Sequence, residues 1–397
     1  MGISLGLVGL GAFGRSFAES FKNHPAVDRI ALCDLVPERI REFAERESFR
    51  DKFDPKDAYD SLDDLLKSDV DAVVIITQHW LHTPQAVQAL EAGKHVYSAV
   101  PVLSVPDSDE ILEWCDRLVK TVEKTGLHYM YGETTFYRPQ AMFCRRKAAE
   151  GAFGLFVYAE GEYFHDVDHG LREVKARREG SPAGQAFQAK KAEYKARGVV
   201  GGPMSYPTHS TAGPISVMNA HMVKVACWGQ PPRVHLDHFT EACLANETAL
   251  FQMSNGATCR ISEYREIGFP GREIFRVYGT EGSFEHDLWC DKNTRTPVAI
   301  DEMRDPLPDE VILALSGHAG DVGRDLSEQE RKDFLGGHGG SHAYLVHEFC
   351  DAIANDRTPA ISAWDAVRYT AAGAVAHKSA LKDGELLDVP DWGDAPV

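Results

Sequence analysis

The sequence predicts two joined domains: an α/β domain on a doubly wound parallel sheet, then an α+β domain on a large mixed, mostly antiparallel sheet. Three observations carry this. Strand and helix patterns alternate up to about Gly126. A glycine-rich turn links the first strand to the first helix. Beyond Gly154, apolar strand patterns follow one another with no helix between them. The 397 residues suit domains at 1–126 and 127–397.

In chain order, Ile3–Val8 is a buried strand and Arg15–Asn23 a helix. Arg29–Cys33 is a second strand and ends at Asp34. A helix follows from Pro37 to about Glu47, and a short one over Ser61–Leu66. Ala72–Ile76 is strongly apolar and reads as a strand, Thr83–Ala92 as a helix, His95–Ser98 as a strand and Asp107–Lys124 as a helix. The second domain has strand patterns at Phe156–Tyr163, Val234–Ala242, Glu247–Met253, Ala257–Tyr264 and Ile274–Tyr278. Asn255-Gly256 is a hairpin signal and Gly279–Gly282 another turn. Helices are expected at His342–Asn355 and Ala363–Leu381, the second capped by Ser362.

Apolar residues make up 43% and charged residues 26% of the chain, a globular balance. The net charge of −18 argues against nucleic-acid and anionic-membrane partners. Eight dispersed cysteines without a CxxC pair read as reduced thiols. No basic segment precedes the first apolar stretch, so a cytoplasmic protein is expected. The uncharged span Gly198–Val223 holds three prolines and suits a pocket wall rather than a lipid-facing helix.

Gly9-Leu10-Gly11-Ala12-Phe13-Gly14 lies between a strand and a helix, with Asp34 20 residues past Gly14. This is the dinucleotide fingerprint of a Rossmann domain. Gly9 allows the tight turn, Gly11 lets a pyrophosphate approach, and Gly14 permits close helix–strand packing. Asp34 would accept from the ribose 2′-hydroxyl and repel a 2′-phosphate, which favours NAD over NADP.

Further pieces align with this fingerprint: Thr77-Gln78-His79-Trp80-Leu81-His82-Thr83-Pro84, Gly93-Lys94-His95-Val96, and Phe275 to Gly282. Together they resemble the Gfo/Idh/MocA oxidoreductases over nearly the whole chain. That resemblance implies a sugar-sized site between the domains, and a homodimer or homotetramer formed through the exposed face of the second sheet. Dehydrogenases of that family carry Glu-Lys-Pro where this chain has Ala99-Val100-Pro101, and often an Asp where it has Ser205. Val100 has no polar atom to handle a proton. Tyr206-Pro207-Thr208-His209, Glu133 with Tyr137, Tyr163-Phe164-His165-Asp166 and His338-Gly339-Gly340 resemble instead the NAD-dependent glycosidase branches, α-N-acetylgalactosaminidases and sulfoquinovosidases among them.

The resemblance implies a glycoside hydrolase whose bound NAD is regenerated at each turnover. The sugar is oxidised at C3, loses its C2 proton, eliminates the aglycone, adds water and is reduced again. An NAD-dependent dehydrogenase acting on a pyranoside or polyol is the alternative, and a non-catalytic NAD-binding sensor a third. His209, Tyr163 and Tyr206 are the catalytic candidates. A His pKa near ~6.5 suits proton exchange, whereas a phenol near ~10 would need lowering to act as a base. Cofactor contacts are expected from Gly9, Gly11, Ala12, Phe13, Gly14, Asp34, Thr77, His79, Trp80, His82, Ser98, Ala99 and Glu133. Substrate contacts are expected from Tyr137, His165, Arg172, His338 and His342. No metal is expected, although His165 and His169 stand four apart beside Asp166 and Asp168. Leu171–Arg197 is locally basic, at net +5, and reads either as a solvated helical face or as a recruiter of an anionic sugar group.

Overall fold

A computed structural model describes residues 2–396. The first sheet holds β1 (Ile3–Val8), β2 (Val27–Cys33), β3 (Phe53–Tyr59), β4 (Ala72–Ile75), β5 (His95–Ala99) and β6 (Tyr129–Gly132). All are parallel, in the order β3-β2-β1-β4-β5-β6. Helices α1 (Ala12–Asn23), α2 (Pro37–Ala44), α3 (Leu62–Leu66), α4 (His82–Glu91) and α5 (Ser108–Thr125) connect them. Burial on both faces explains the continuous apolar runs of β1 and β4. The chain reverses its winding between β1 and β4, which opens a crevice at their carboxyl ends.

Two of these strands lack a long apolar run in the sequence. Edge strand β3 carries Asp54, Pro55, Lys56 and Asp57, and an edge tolerates charge and proline. Strand β6 is four residues long and carries the first sheet past Gly126.

The second sheet holds β7 (Phe156–His165), β8 (Met222–Gln230), β9 (Asn246–Met253), β10 (Thr258–Tyr264), β11 (Gly271–Gly279), β12 (Gly282–Glu285), β13 (Leu288–Asp291), β14 (Val298–Ala299) and β15 (Leu387–Asp388). Its order is β14-β13-β12-β11-β7-β10-β9-β8-β15. The pair β7–β10 is parallel and the others antiparallel. The Asn255-Gly256 turn joins β9 to β10, with Gly256 at φ 86°. The strand expected at Val234–Ala242 does not form. The Glu266 carboxylate accepts the N–H groups of Arg233, Val234 and His235, donors that a ladder would need. The sheet takes β8 instead, which begins within the last two residues of the uncharged span.

Helix Thr208–Met218 lies on the inner face of β7. Helix Ala363–Ala380 begins at Ser362, whose capping box with Asp365 fixes its start, and it packs on both α5 and β8. It therefore ties the two domains together. All eight cysteines are unpaired. No helix among the described residues is long and apolar enough to cross a membrane.

The approach of helix Thr208–Met218 to β7 depends on Gly161, where a Cβ would stand 1.8 Å from the Ser210 carbonyl oxygen. Gly161→Ala is expected to cost at least about 2 kcal/mol by forcing backbone apart. Thermal unfolding checks this, and a shift under a degree would refute it.

Candidate active site

At the crevice the fingerprint takes the expected form. Gly9 has φ 92°, and a Cβ there would meet the Ile76 carbonyl oxygen at 2.3 Å. A Cβ on Gly14 would meet the Gly9 carbonyl oxygen at 1.9 Å. At Gly11 the only neighbour within 4 Å would be Arg39 Nη1, at 3.9 Å. Gly9 and Gly14 thus serve the fold, and the space above Gly11 is open for a ligand. Helix α1 has no side-chain cap, so its first N–H groups point unpaired into that space. The Asp34 carboxylate accepts from the N–H of Leu10 at 2.7 Å and of Val36 at 2.9 Å, with Arg39 at 3.3 Å. These residues fit a dinucleotide.

The turn after β4 is partly structural. His82 has Nδ1 2.9 Å from the Pro101 carbonyl and Nε2 3.3 Å from that of Thr77; burial pushes its pKa down to about 4, so its single N–H donates to one of them. Thr77 donates to Gln85, and Ser98 and Ala99 are buried in β5. His79 stays half-exposed in the crevice, while Trp80 stacks on Phe187 of helix Pro182–Ala196 at 5.3 Å. Phe13, 38% exposed, meets the rings of His338 and His342 edge-on at 5.8 and 5.9 Å.

His209 stands in the first turn of helix Thr208–Met218 and reaches back to the first domain. Its Nδ1 lies 2.9 Å from Glu133 Oε1, at the end of β6, and 3.7 Å from Glu273 Oε1 on β11. Glu133 Oε1 also accepts the Thr135 N–H at 2.8 Å. Burial alone would push the imidazole pKa down, but the two carboxylates outweigh it and hold it at about 9. Burial likewise opposes ionisation of Glu133, and the His209 charge outweighs that too. Arg138 pairs with Glu273, so two cations face two carboxylates. The donor atoms of Glu133, His209 and Glu273 lie within 4.8 Å of one another, close enough for a metal ion, yet the charges already balance without one.

The other nitrogen of His209 faces the crevice, with the Tyr206 hydroxyl 3.2 Å from Nε2. The Tyr163 ring lies 5.2 Å from the imidazole, and its hydroxyl is 3.1 Å from His165 Nδ1. Neither phenol is lowered. Burial pushes Tyr163 up to about 12 against the pull of Arg265, and burial, Tyr163 and Glu133 push Tyr206 well up. Both are hydrogen-bond donors at neutral pH, which runs against the lowered phenol that a tyrosine base requires.

The structure therefore brings together His209, Tyr206, Tyr163, His165, His79 and Glu133, with His338 stacked 6.4 Å from His209. His342 lies behind His338 at 3.0 Å and stacks on Phe17 of α1. Tyr137 is buried against Tyr344, away from the cluster. Arg172 also points elsewhere, to Asp168 and Asp237. Sequence reading missed Glu273 and placed Arg178 only within the basic segment Leu171–Arg197, without singling it out. No spacing signals Glu273, because β11 reaches the site only through non-local pairing.

Residues 3–133 match the sequence model described as the oxidoreductase family with an NAD-binding Rossmann fold, GFO_IDH_MocA. This stretch is an NAD-binding domain, and NAD is its cofactor. The chain is 23% identical over 421 residues to a glycosyl hydrolase family 109 protein of Porphyromonas gingivalis, covering 98% of this chain and 84% of that one. It is 30% identical over 223 residues to an alpha-N-acetylgalactosaminidase of Bacteroides fragilis, covering 55% and 49%. Two family 109 relatives from Bacteroides fragilis align over only 35% of their own length. The fold is similar to that of scyllo-inositol dehydrogenase from Lactobacillus casei with bound NAD(H) and scyllo-inositol. There the TM-score is 0.65 at 17% identity, over 98% of this chain and 99% of that one.

The open space at Gly11 gives a clean test. Gly11→Val is expected to leave the unfolding temperature of the cofactor-free protein unchanged while weakening NAD binding at least ~10-fold by blocking the phosphates. Calorimetric titration checks it, and unchanged affinity would remove the pyrophosphate from this position.

Proposed function

We propose that this chain is an NAD-dependent glycoside hydrolase acting through transient oxidation of its sugar. The observation that carries the reading is the Glu133–His209–Tyr206 chain facing the crevice, with apolar Val100 where dehydrogenases of this type keep a lysine. NAD bound at the glycine turn supplies a hydride acceptor for sugar C3 and later returns the hydride.

His209 manages the proton on the sugar hydroxyl. As an imidazolium held by Glu133, it donates through Nε2 to an oxygen that gains negative charge. Once it has lost that proton it is a base of raised strength. Glu133 fixes the ring so that Nδ1 keeps its proton and Nε2 does the exchange. Tyr206 and Tyr163 donate hydrogen bonds to sugar oxygens, which holds the ring in place and stabilises negative charge that develops on O3. Glu273 and Arg138 set the charge behind the ring. The relatives named as glycosyl hydrolases support this reading; the fold alone suits a sugar dehydrogenase equally well. A homo-oligomer through the outer face of the second sheet, where Val157, Trp228 and Leu250 are exposed, belongs to the same proposal.

Aryl glycosides are expected to be cleaved without NADH accumulating, and NMR in D₂O should find deuterium at C2 of the released sugar. Stoichiometric NADH with an oxidised sugar would make the chain a dehydrogenase instead. His209→Gln should lower kcat at least ~100-fold while cofactor content stays near wild type.

The raised pKa of His209 has its own signature. If its neutral form is required, kcat/KM should climb as pH rises toward about 9, where the imidazolium deprotonates. Glu133→Gln removes the charge that raises it, so the climb should move to lower pH. A pH profile unmoved by that substitution would assign the limb to another group.

A further inference from the structure

Among the described residues, the crevice holds one cation that the proton chemistry leaves unused. Arg178 lies at the end of helix Arg172–Glu179, and its Nη2 donates to His79 Nε2 at 2.9 Å. Its backbone carbonyl accepts from Gln78 Nε2 at 3.1 Å, which docks the helix end on the first domain. The residue as a whole has exposed surface, but its guanidinium stands among His79, Tyr163 and Tyr206, where burial pushes its pKa down and its charge pulls on both phenols. Among the described residues it has no carboxylate partner, and its hydrogen-bond partner is an imidazole that burial and Arg178 itself keep neutral.

Much of the rest of the basic segment behaves differently, although exposed Arg177 and Lys195 also lack a carboxylate among the described residues. Arg172 pairs with Asp168 and Asp237, Lys190 with Glu110, Lys191 with Glu179 and Glu241, and Arg197 with Asp107. Lys175 donates to the His238 carbonyl. In a chain of net charge −18, acids are plentiful, yet among the described residues none stands against Arg178. The planar fork of a guanidinium matches a carboxylate or sulfonate in two parallel hydrogen bonds. The nucleotide's phosphates have their own cradle at Gly11 and the start of α1.

We infer that Arg178 is a specificity-determining residue that pairs with an anionic group, a carboxylate or a sulfonate, carried by the sugar in the crevice beside Tyr163 and Tyr206. This rests on the reading of the site as one for sugar glycosides. The neutral His79 imidazole steers the guanidinium, and the anion completes its coordination.

The test uses the NAD-loaded full chain. Calorimetric titration compares D-glucuronate, D-galacturonate and their C6-sulfonate counterparts with D-glucose and D-galactose. At least one charged sugar is expected to bind ~10-fold or more tightly than its neutral partner. Arg178→Met should bring that ratio close to one and Arg178→Lys should keep part of it, while Arg177→Met on the outer side of the helix leaves it intact. NAD content and unfolding temperature confirm that the variants are folded; should Arg178→Met fail to fold, the Arg178→Lys ratio decides. The carboxylate and sulfonate arms separate the two anions. A ratio near one in wild type, or one preserved in the Arg178 variants, would overturn the inference. Cleavage of aryl glycosides without charge preference would overturn it and leave the hydrolase reading standing. Charge-selective binding without cleavage of any glycoside would do the reverse.

Discussion

One buried ion pair organises this molecule. Glu133, with no exposed surface, ends the last strand of the first sheet, and His209, 7% exposed, begins a helix of the second domain. Each charge is tolerable only because the other is there. Removing one partner of such a pair typically costs about 3–5 kcal/mol, because the remaining charge is stranded in the interior. The same contact joins the two domains at the site and fixes which imidazole nitrogen is left to face the crevice. Stability and proton chemistry therefore share one bond.

Around that bond the fold leaves little freedom. Helix Thr208–Met218 sits against β7 at a distance only glycine allows at position 161, and Phe275 closes against Gly213 from β11. The helix carries His209, β7 carries Tyr163 and β11 carries Glu273, so the packing that fixes the helix also fixes the three side chains relative to one another. Ser210 adds a hydrogen bond to the buried Glu263 carboxyl beneath the helix, which burial pushes up to about 7.

The parts of this arrangement that were legible in the sequence are those written locally. The glycine turn, its strand, its helix and Asp34 occupy a few dozen consecutive residues, each with a steric or hydrogen-bonding reason to be what it is. His209 and the tyrosines were legible through a short pattern, and Ser362 through its cap. Strand β3 was hidden by its own charges, β6 by its shortness, and β8 by lying at the end of an uncharged span that reads as loop and pocket wall. The strand expected at Val234–Ala242 lost to Glu266, a residue more than twenty positions downstream. Glu273 belongs to the same class of miss, and Arg178 could be read only as one of several cations in a basic segment. A glutamate on a strand and an arginine on a basic helix carry no mark of the site until folding brings them to it. Arg172, six residues earlier and chemically identical, ended on Asp168 and Asp237 instead.

The loop at Gly336–Gly340 bears on how the nucleotide comes and goes. Its backbone turns through positive φ at Gly336, His338, Gly339 and Gly340, and it lays His338 against Phe13 of the phosphate turn. A segment of the second domain thus roofs the doorway of the first. A dinucleotide seated beneath this contact would have to part Phe13 from His338 and His342 in order to leave. A catalyst that exchanged oxidised for reduced cofactor at every cycle would be throttled by such a doorway. One that restores its own cofactor before the product leaves would be served by it, since long residence then becomes an asset rather than a bottleneck.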